Sequence, residues 1–114
     1  MAEKFRKSPR RVAVASKTGV LIDECFGRAE NYRIYELADE GYRLAELRPG
    51  PAPCRDQSHD PQILGAAVAL LADCDMVLAG RIGPEAIRQL SKQGVVGLAA
   101  HIGIQDALDH LAKR

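Results

Sequence analysis

The residues with most chemical capacity are Cys25, Cys54 and His59, together with the arginines near them in sequence. Cys25 lies in Asp23-Glu24-Cys25-Phe26-Gly27-Arg28-Ala29, a thiol in a turn between extended segments. A thiolate is a soft ligand for zinc, copper(I) or iron-sulfur clusters, and nearby positive charge favours its ionised form. Arg28 and Arg33 could supply that charge. The alternative is a small half-buried side chain that only fills the turn. Cys54-Arg55-Asp56-Gln57-Ser58-His59 sets a second thiol and an imidazole within reach of one metal ion, although the spacing is less diagnostic than a paired Cys-x-x-Cys. A loop histidine can equally be solvated.

Other polar residues carry weaker signals. Cys74 stands between Asp73 and Asp75 beside an apolar run, where burial and acidic neighbours keep a thiol protonated, so it reads as structural. Gly80-Arg81-Ile82-Gly83 precedes a helix, and its amides with Arg81 could receive an anion. It has neither a Walker lysine-serine pair nor a dinucleotide fingerprint, and a packing turn is the simpler reading. His101 follows the last strand, where ligands of open α/β sheets often bind, but it also fits a hydrogen-bonded loop residue. His110 reads as a surface residue. With no Gly-x-Ser-x-Gly elbow and no carboxylate pair in apolar surroundings, binding is favoured over turnover, and no enzymatic activity is expected.

The elements that must position these residues follow from apolar periodicity. Val12–Ser16 is a short β-branched run that reads as a buried strand, and Val20–Ile22 as a short extended piece. Tyr32–Leu37 and Tyr42–Leu47 alternate with period two around Asp39-Glu40-Gly41, which predicts a hairpin. Arg48–His59, with three prolines, reads as one long loop outside the ladder. Asp60-Pro61 opens a helix that is apolar over most of its circumference and so should be well buried. Met76–Ala79 reads as a strand, followed by a helix with Ala86, Ile87 and Leu90 inward. Val95–Leu98 reads as a further buried strand, and Ile104, Ala107, Leu108 and Leu111 mark a last amphipathic helix. A β-hairpin half joined to a strand-helix-strand-helix half gives one mixed, largely parallel sheet covered by helices.

Composition narrows the function classes. At 114 residues the chain suits one domain, read as 11–114 behind a flexible basic tail over residues 1–10. The net charge of +1 hides an asymmetry, with +4 in the first eleven residues and −3 over the rest. Aromatic residues make up only 4%, with no Trp, which argues against nucleic-acid binding by base stacking. Three cysteines are too few and too odd in number for a disulfide framework. No apolar run approaches membrane-spanning length and no signal-peptide core is present, so a cytoplasmic location without membrane contact is expected.

The ordered set Val12–Ser16, Asp23–Ala29, Tyr32–Glu36, Leu71–Leu78 and Arg81–Gly83 resembles the dinitrogenase iron-molybdenum cofactor-binding family, which includes NifX-like and NafY-like carriers and the C-terminal domain of NifB. The resemblance covers nearly all of residues 11–112. It implies a ribonuclease H-like three-layer α/β fold with a mixed five-stranded sheet and about three helices. It also implies non-enzymatic carriage of the iron-molybdenum cofactor, or of an iron-sulfur precursor, during nitrogenase assembly. The implied partners are nitrogenase cofactor-assembly proteins or apo-dinitrogenase, with a homo-oligomer as a further expectation. Where the family commonly has His before Phe-Gly, this chain has Cys25. Carried onto this sequence, the resemblance makes Cys25 the leading metal ligand, Cys54 and His59 secondary ones, and Arg28, Arg33 and Arg81 the residues that offset the cluster's charge. A metal-free interaction module that docks on an assembly or redox partner is the alternative. A ribonuclease H-like nuclease would need clustered carboxylates for magnesium, and the first strand has none.

Overall fold

A computed structural model describes residues 10–38, 41–51 and 61–112. Strand β1 spans Arg11–Ala15, β2 Asn31–Ala38 and β3 Gly41–Pro49; helix α1 (Pro61–Leu70) leads to β4 (Met76–Ala79), α2 (Pro84–Lys92), β5 (Val96–Ala99) and α3 (Ile104–Ala112). The five strands form one sheet in the order β3-β2-β1-β4-β5. β1 pairs antiparallel with β2 and parallel with β4, and β4 pairs parallel with β5. This is the mixed five-stranded sheet with three helices that the resemblance implies, in the ribonuclease H-like three-layer arrangement.

Alternation along the central strands divides the core in two. Ala13, Ala15, Tyr32, Ile34 and Val77 face α1 and α2, where Val68, Leu71, Ala86 and Leu90 meet them. Val12, Val14, Tyr35 and Leu78 face the other way, toward Ile104, Ala107 and Leu108 of α3. Side chains at successive strand positions point to opposite faces, so the run Val12–Ala15 is buried throughout because helices cover both sides of β1.

Four expectations need correction. β3 continues through Arg48 and Pro49, which pair with Tyr32 and Asn31, so the loop starts later than Arg48. Proline is tolerated there because β3 is an edge strand, with one side free of ladder bonds. α1 is less buried than its composition suggests: only Ala67 and Val68 are fully covered within it, because a single sheet face cannot enclose a helix that is apolar all round. β5 is not a buried strand, since it lies at the sheet edge with Val96 and Leu98 half-exposed, and Ile87 of α2 is 38% exposed as well. Among the described residues no helix is long and apolar enough to cross a membrane.

Candidate functional site

The parallel strands β1 and β4 bring their carboxyl ends together, and the chain leaves them in opposite directions, to β2 on one side and β5 on the other. Such a switch point opens a crevice where open α/β sheets bind ligands. Here residues 24–26 lie in it and bond to both strands. The Glu24 N–H donates to the Ala15 carbonyl at 3.2 Å, the Gly80 N–H to the Glu24 carbonyl at 2.9 Å, and the Phe26 N–H to the Arg81 carbonyl at 2.8 Å. Cys25 thus forms a parallel bridge with Arg81. The sequence places this thiol in a turn, but the turn only begins after it, where the Arg28 N–H closes onto the Cys25 carbonyl at 3.1 Å. Cys25 is held on fixed backbone while remaining a half-buried free thiol.

Close packing explains how this segment fits. A Cβ on Gly80 would sit 3.2 Å from the Asp23 carbonyl carbon and 3.3 Å from its Cα, so any larger residue just after β4 would push this segment back by a few tenths of an ångström. Phe26 turns into the core and packs on Tyr32, with ring centroids 5.9 Å apart. The Tyr32 hydroxyl accepts the buried Gly27 N–H at 3.2 Å and so props the turn from below. Burial pushes the Tyr32 phenol up to about 12, which keeps it neutral. Asp23 accepts the Lys17 N–H at 2.9 Å, and the buried Ser16 accepts the Gly19 N–H at 2.9 Å, so the loop after β1 is closed by its own side chains. Burial also raises the Glu24 carboxyl, with Lys17 opposing the shift.

Of the residues singled out from sequence, Cys25, Arg28 and Arg81 come together. Arg33 lies at the same end of the sheet, on the α3 face opposite Val14, packed so tightly over Gly19 that a Cβ there would be 2.8 Å from the guanidinium carbon. Its Nε is buried without a hydrogen-bond partner among the described residues. None of Arg28, Arg33 and Arg81 forms an ion pair with another described residue. His101 is exposed just beyond β5, and His110 is exposed on α3. Cys54 and His59 lie outside the described residues. Gly50, four residues before Cys54, is pinned to the end of the Cys25 segment: its N–H donates to the Glu30 carbonyl at 2.8 Å. Among the described residues no three His, Cys, Asp or Glu side chains gather to hold a metal ion.

Sequence reasoning missed Tyr32, Ser16 and the backbone role of Glu24. Tyr32 reads as one inward residue of an alternating strand. The signal for its hydroxyl is only that a buried tyrosine needs a polar partner near its tip.

The other thiol behaves as expected. Cys74 is buried, and burial with Asp73 alongside pushes it up to about 12, so it is structural.

The profile of the family described as "Dinitrogenase iron-molybdenum cofactor" matches residues 9–114. The FeMo cofactor biosynthesis protein NifB of Klebsiella pneumoniae is 38% identical over 89 residues, covering 74% of this chain but 19% of NifB. Protein NifY of Azotobacter vinelandii is 33% identical over 85 residues, covering 75% of this chain and 34% of NifY. This chain therefore spans only a fraction of these relatives. Among solved structures, the apo form of the orange protein from Desulfovibrio gigas superposes with a TM-score of 0.66 over 92% of this chain and 88% of its own, at 22% identity, which shows the shared fold.

Proposed function

Because this chain belongs to the dinitrogenase iron-molybdenum cofactor family, we propose that it binds a preformed, anionic iron-sulfur cargo at the crevice between β1 and β4. The cargo is the iron-molybdenum cofactor or an iron-sulfur precursor of it. The carrying observation is the pairing of Cys25 with Arg81 on fixed backbone, with Arg28 in the adjoining turn. One thiol with neighbouring cations suits docking of a cluster that brings its own sulfides. It does not suit assembly of a cluster from free ions, which takes several protein thiolates.

In this reading Cys25 contributes the direct iron ligand, and Arg28 and Arg81 offset the cluster's negative charge through charge-assisted hydrogen bonds. The orphaned Arg33 Nε marks a further donor at the same end of the sheet. Cys54 and His59 complete the set from the loop. Fully extended, the four residues from Gly50 to Cys54 span at most roughly 14 Å, and Gly50 is tied to Glu30, so the loop starts beside the site. The role is carriage without turnover, in the cytoplasm, with handover to a nitrogenase-assembly protein or apo-dinitrogenase. The residue 1–10 tail and the loop are the contacts offered to that partner.

Anaerobic loading with isolated cluster, followed by visible absorbance and iron counting, tests the reading on Cys25→Ala. We expect bound iron to fall at least tenfold with an unchanged melting temperature. Full loading of Cys25→Ala overturns the ligand assignment. Tight partner capture by a metal-free variant lacking Cys25 and Cys54 would favour the interaction-module reading instead.

A further inference from the structure

The two edges of the sheet are built differently. β3, at one edge, carries Arg43, Glu46, Arg48 and Pro49. Its pairing slips between Ile34 and Tyr35, where Glu46 and Leu44 face successive residues and leave Ala45 as a bulge. Charge, proline and bulges are the devices that stop an edge strand from adding another chain. β5, at the other edge, has none of them. From Gly94 to Gln105 there is no Asp, Glu, Lys, Arg or Pro.

The backbone of β5 is also available. The Val96 N–H bonds to the Asp75 carbonyl and the Ala100 N–H to the Ala79 carbonyl, so these alternate residues face β4. Gly97 and Ala99 therefore turn their N–H and C=O groups outward. Gly97 points its Cα toward Ile82 and Leu90 on the α2 face, which puts Val96 and Leu98 on the opposite face. α3 packs over β2 and β3 and stops short of them. Val96 is 50% and Leu98 46% exposed, and the apolar row continues into Ile102, Val20 and Leu21, all exposed. Leu21 bridges Gly103, and the Ile22 N–H bonds to the Ile102 carbonyl, so the row is continuous.

We infer that β5 pairs antiparallel with β5 of a second copy of this chain, joining two sheets into one across a two-fold axis. A second copy fits because the stretch from Gly94 to Gln105 that would pair carries no Asp, Glu, Lys or Arg. Two copies therefore meet without like-charge repulsion, whereas a charged partner finds nothing to complement. The register follows from which groups are free. Pairing Gly97 with Ala99 of the second copy uses only outward groups, whereas centring the pair on Gly97 would need Val95, whose N–H is already bonded to the Leu90 carbonyl at 2.9 Å. In that register Leu98 opposes Leu98 of the second copy as a non-hydrogen-bonded pair, with Cα atoms about 4.5 Å apart. A disulfide tolerates that separation.

Sedimentation velocity from micromolar to millimolar concentration should show the 12.4 kDa chain passing to a species of twice that mass. Leu98→Lys should shift that transition at least tenfold in concentration, with unchanged circular dichroism and melting temperature showing that it still folds. In a Cys25→Ser, Cys54→Ser background, Leu98→Cys should oxidise to a covalent dimer on a non-reducing gel, while Leu47→Cys on the guarded edge should not. A wild-type chain that stays monomeric at millimolar concentration overturns the inference. So does cross-linking by Leu47→Cys with none by Leu98→Cys.

Discussion

Both ends of the sheet are rich in arginine, and they use it in opposite ways. At the amino ends of β1 and β4, Arg11, Arg43 and Arg48 are all paired with carboxylates. Arg11 bonds Glu36 at 2.8 Å and Asp73 at 3.0 Å, Arg43 bonds Glu36 at 2.7 Å, and Arg48 reaches Asp73, Glu46 and the Leu70 carbonyl. Arg11, Glu36, Arg43 and Asp73 line an open cleft of about 650 Å³, in which Arg10 is the one guanidinium without a carboxylate partner among the described residues. At the carboxyl ends Arg28, Arg33 and Arg81 have no carboxylate partner among the described residues. Saturated charges hold structure, and unsaturated ones leave capacity for a ligand.

The largest expected effect tests the backbone that holds the carboxyl end. A Cβ on Gly50 would lie 2.0 Å from the Ala29 carbonyl oxygen, a contact that backbone must move to relieve. Gly50→Ala should cost about 3 kcal/mol in urea unfolding and should lower cargo loading with it. A neutral result would show that the end of the Cys25 segment is not held in place by Gly50.

A middle-sized effect contrasts the two ends directly. Arg48, with its side chain 14% exposed, should lose about 1–2 kcal/mol of stability on replacement by Ala, because the Leu70 carbonyl and Asp73 lose their donor. Arg81→Ala should stay within about 0.5 kcal/mol of wild type while weakening cluster binding in a salt-dependent way. Equal stability losses at both positions would erase the difference between the two ends.

The smallest effect is a pH dependence. The Arg48 guanidinium, by hydrogen bonding, holds the Asp73 carboxyl down to about 2. A carboxyl lowered in the fold stabilises above its unfolded value, and the gain is lost as pH falls through the folded value. Stability should therefore decline between about pH 4 and pH 2, and Asp73→Asn should flatten that part of the curve. Asp73 is half-exposed, so the change should be below about 1 kcal/mol. An acid limb that Asp73→Asn leaves unaltered would remove Arg48–Asp73 from the saturated end.

How much was legible in the sequence differs between these regions. The hairpin, the three helices and the central strands follow from apolar period and turn residues, since the face each side chain buries repeats locally. The exposure of β5 is not legible, because a short apolar run reads the same at the centre of a sheet as at its edge. At the site, Cys25, Arg28 and Arg81 each stood out by residue type. Their adjacency depends on the parallel pairing of β1 with β4, which brings distant segments together and leaves no local signal. Tyr32 stays hidden for a different reason, since its hydroxyl serves Gly27 five residues back across a turn, which strand alternation does not signal.

The bridge from Cys25 to Arg81 also sets when the site can exist during synthesis. Its two halves lie near the start and in the last third of the chain, so the bridge forms only after α1 has crossed over and β4 has docked beside β1. Such non-local closure comes late in folding, after the loop entropy has been overcome. A nascent chain still missing Arg81 therefore displays Cys25 with Arg28 alone beside it, and in the proposed role it would receive cargo only as the finished fold.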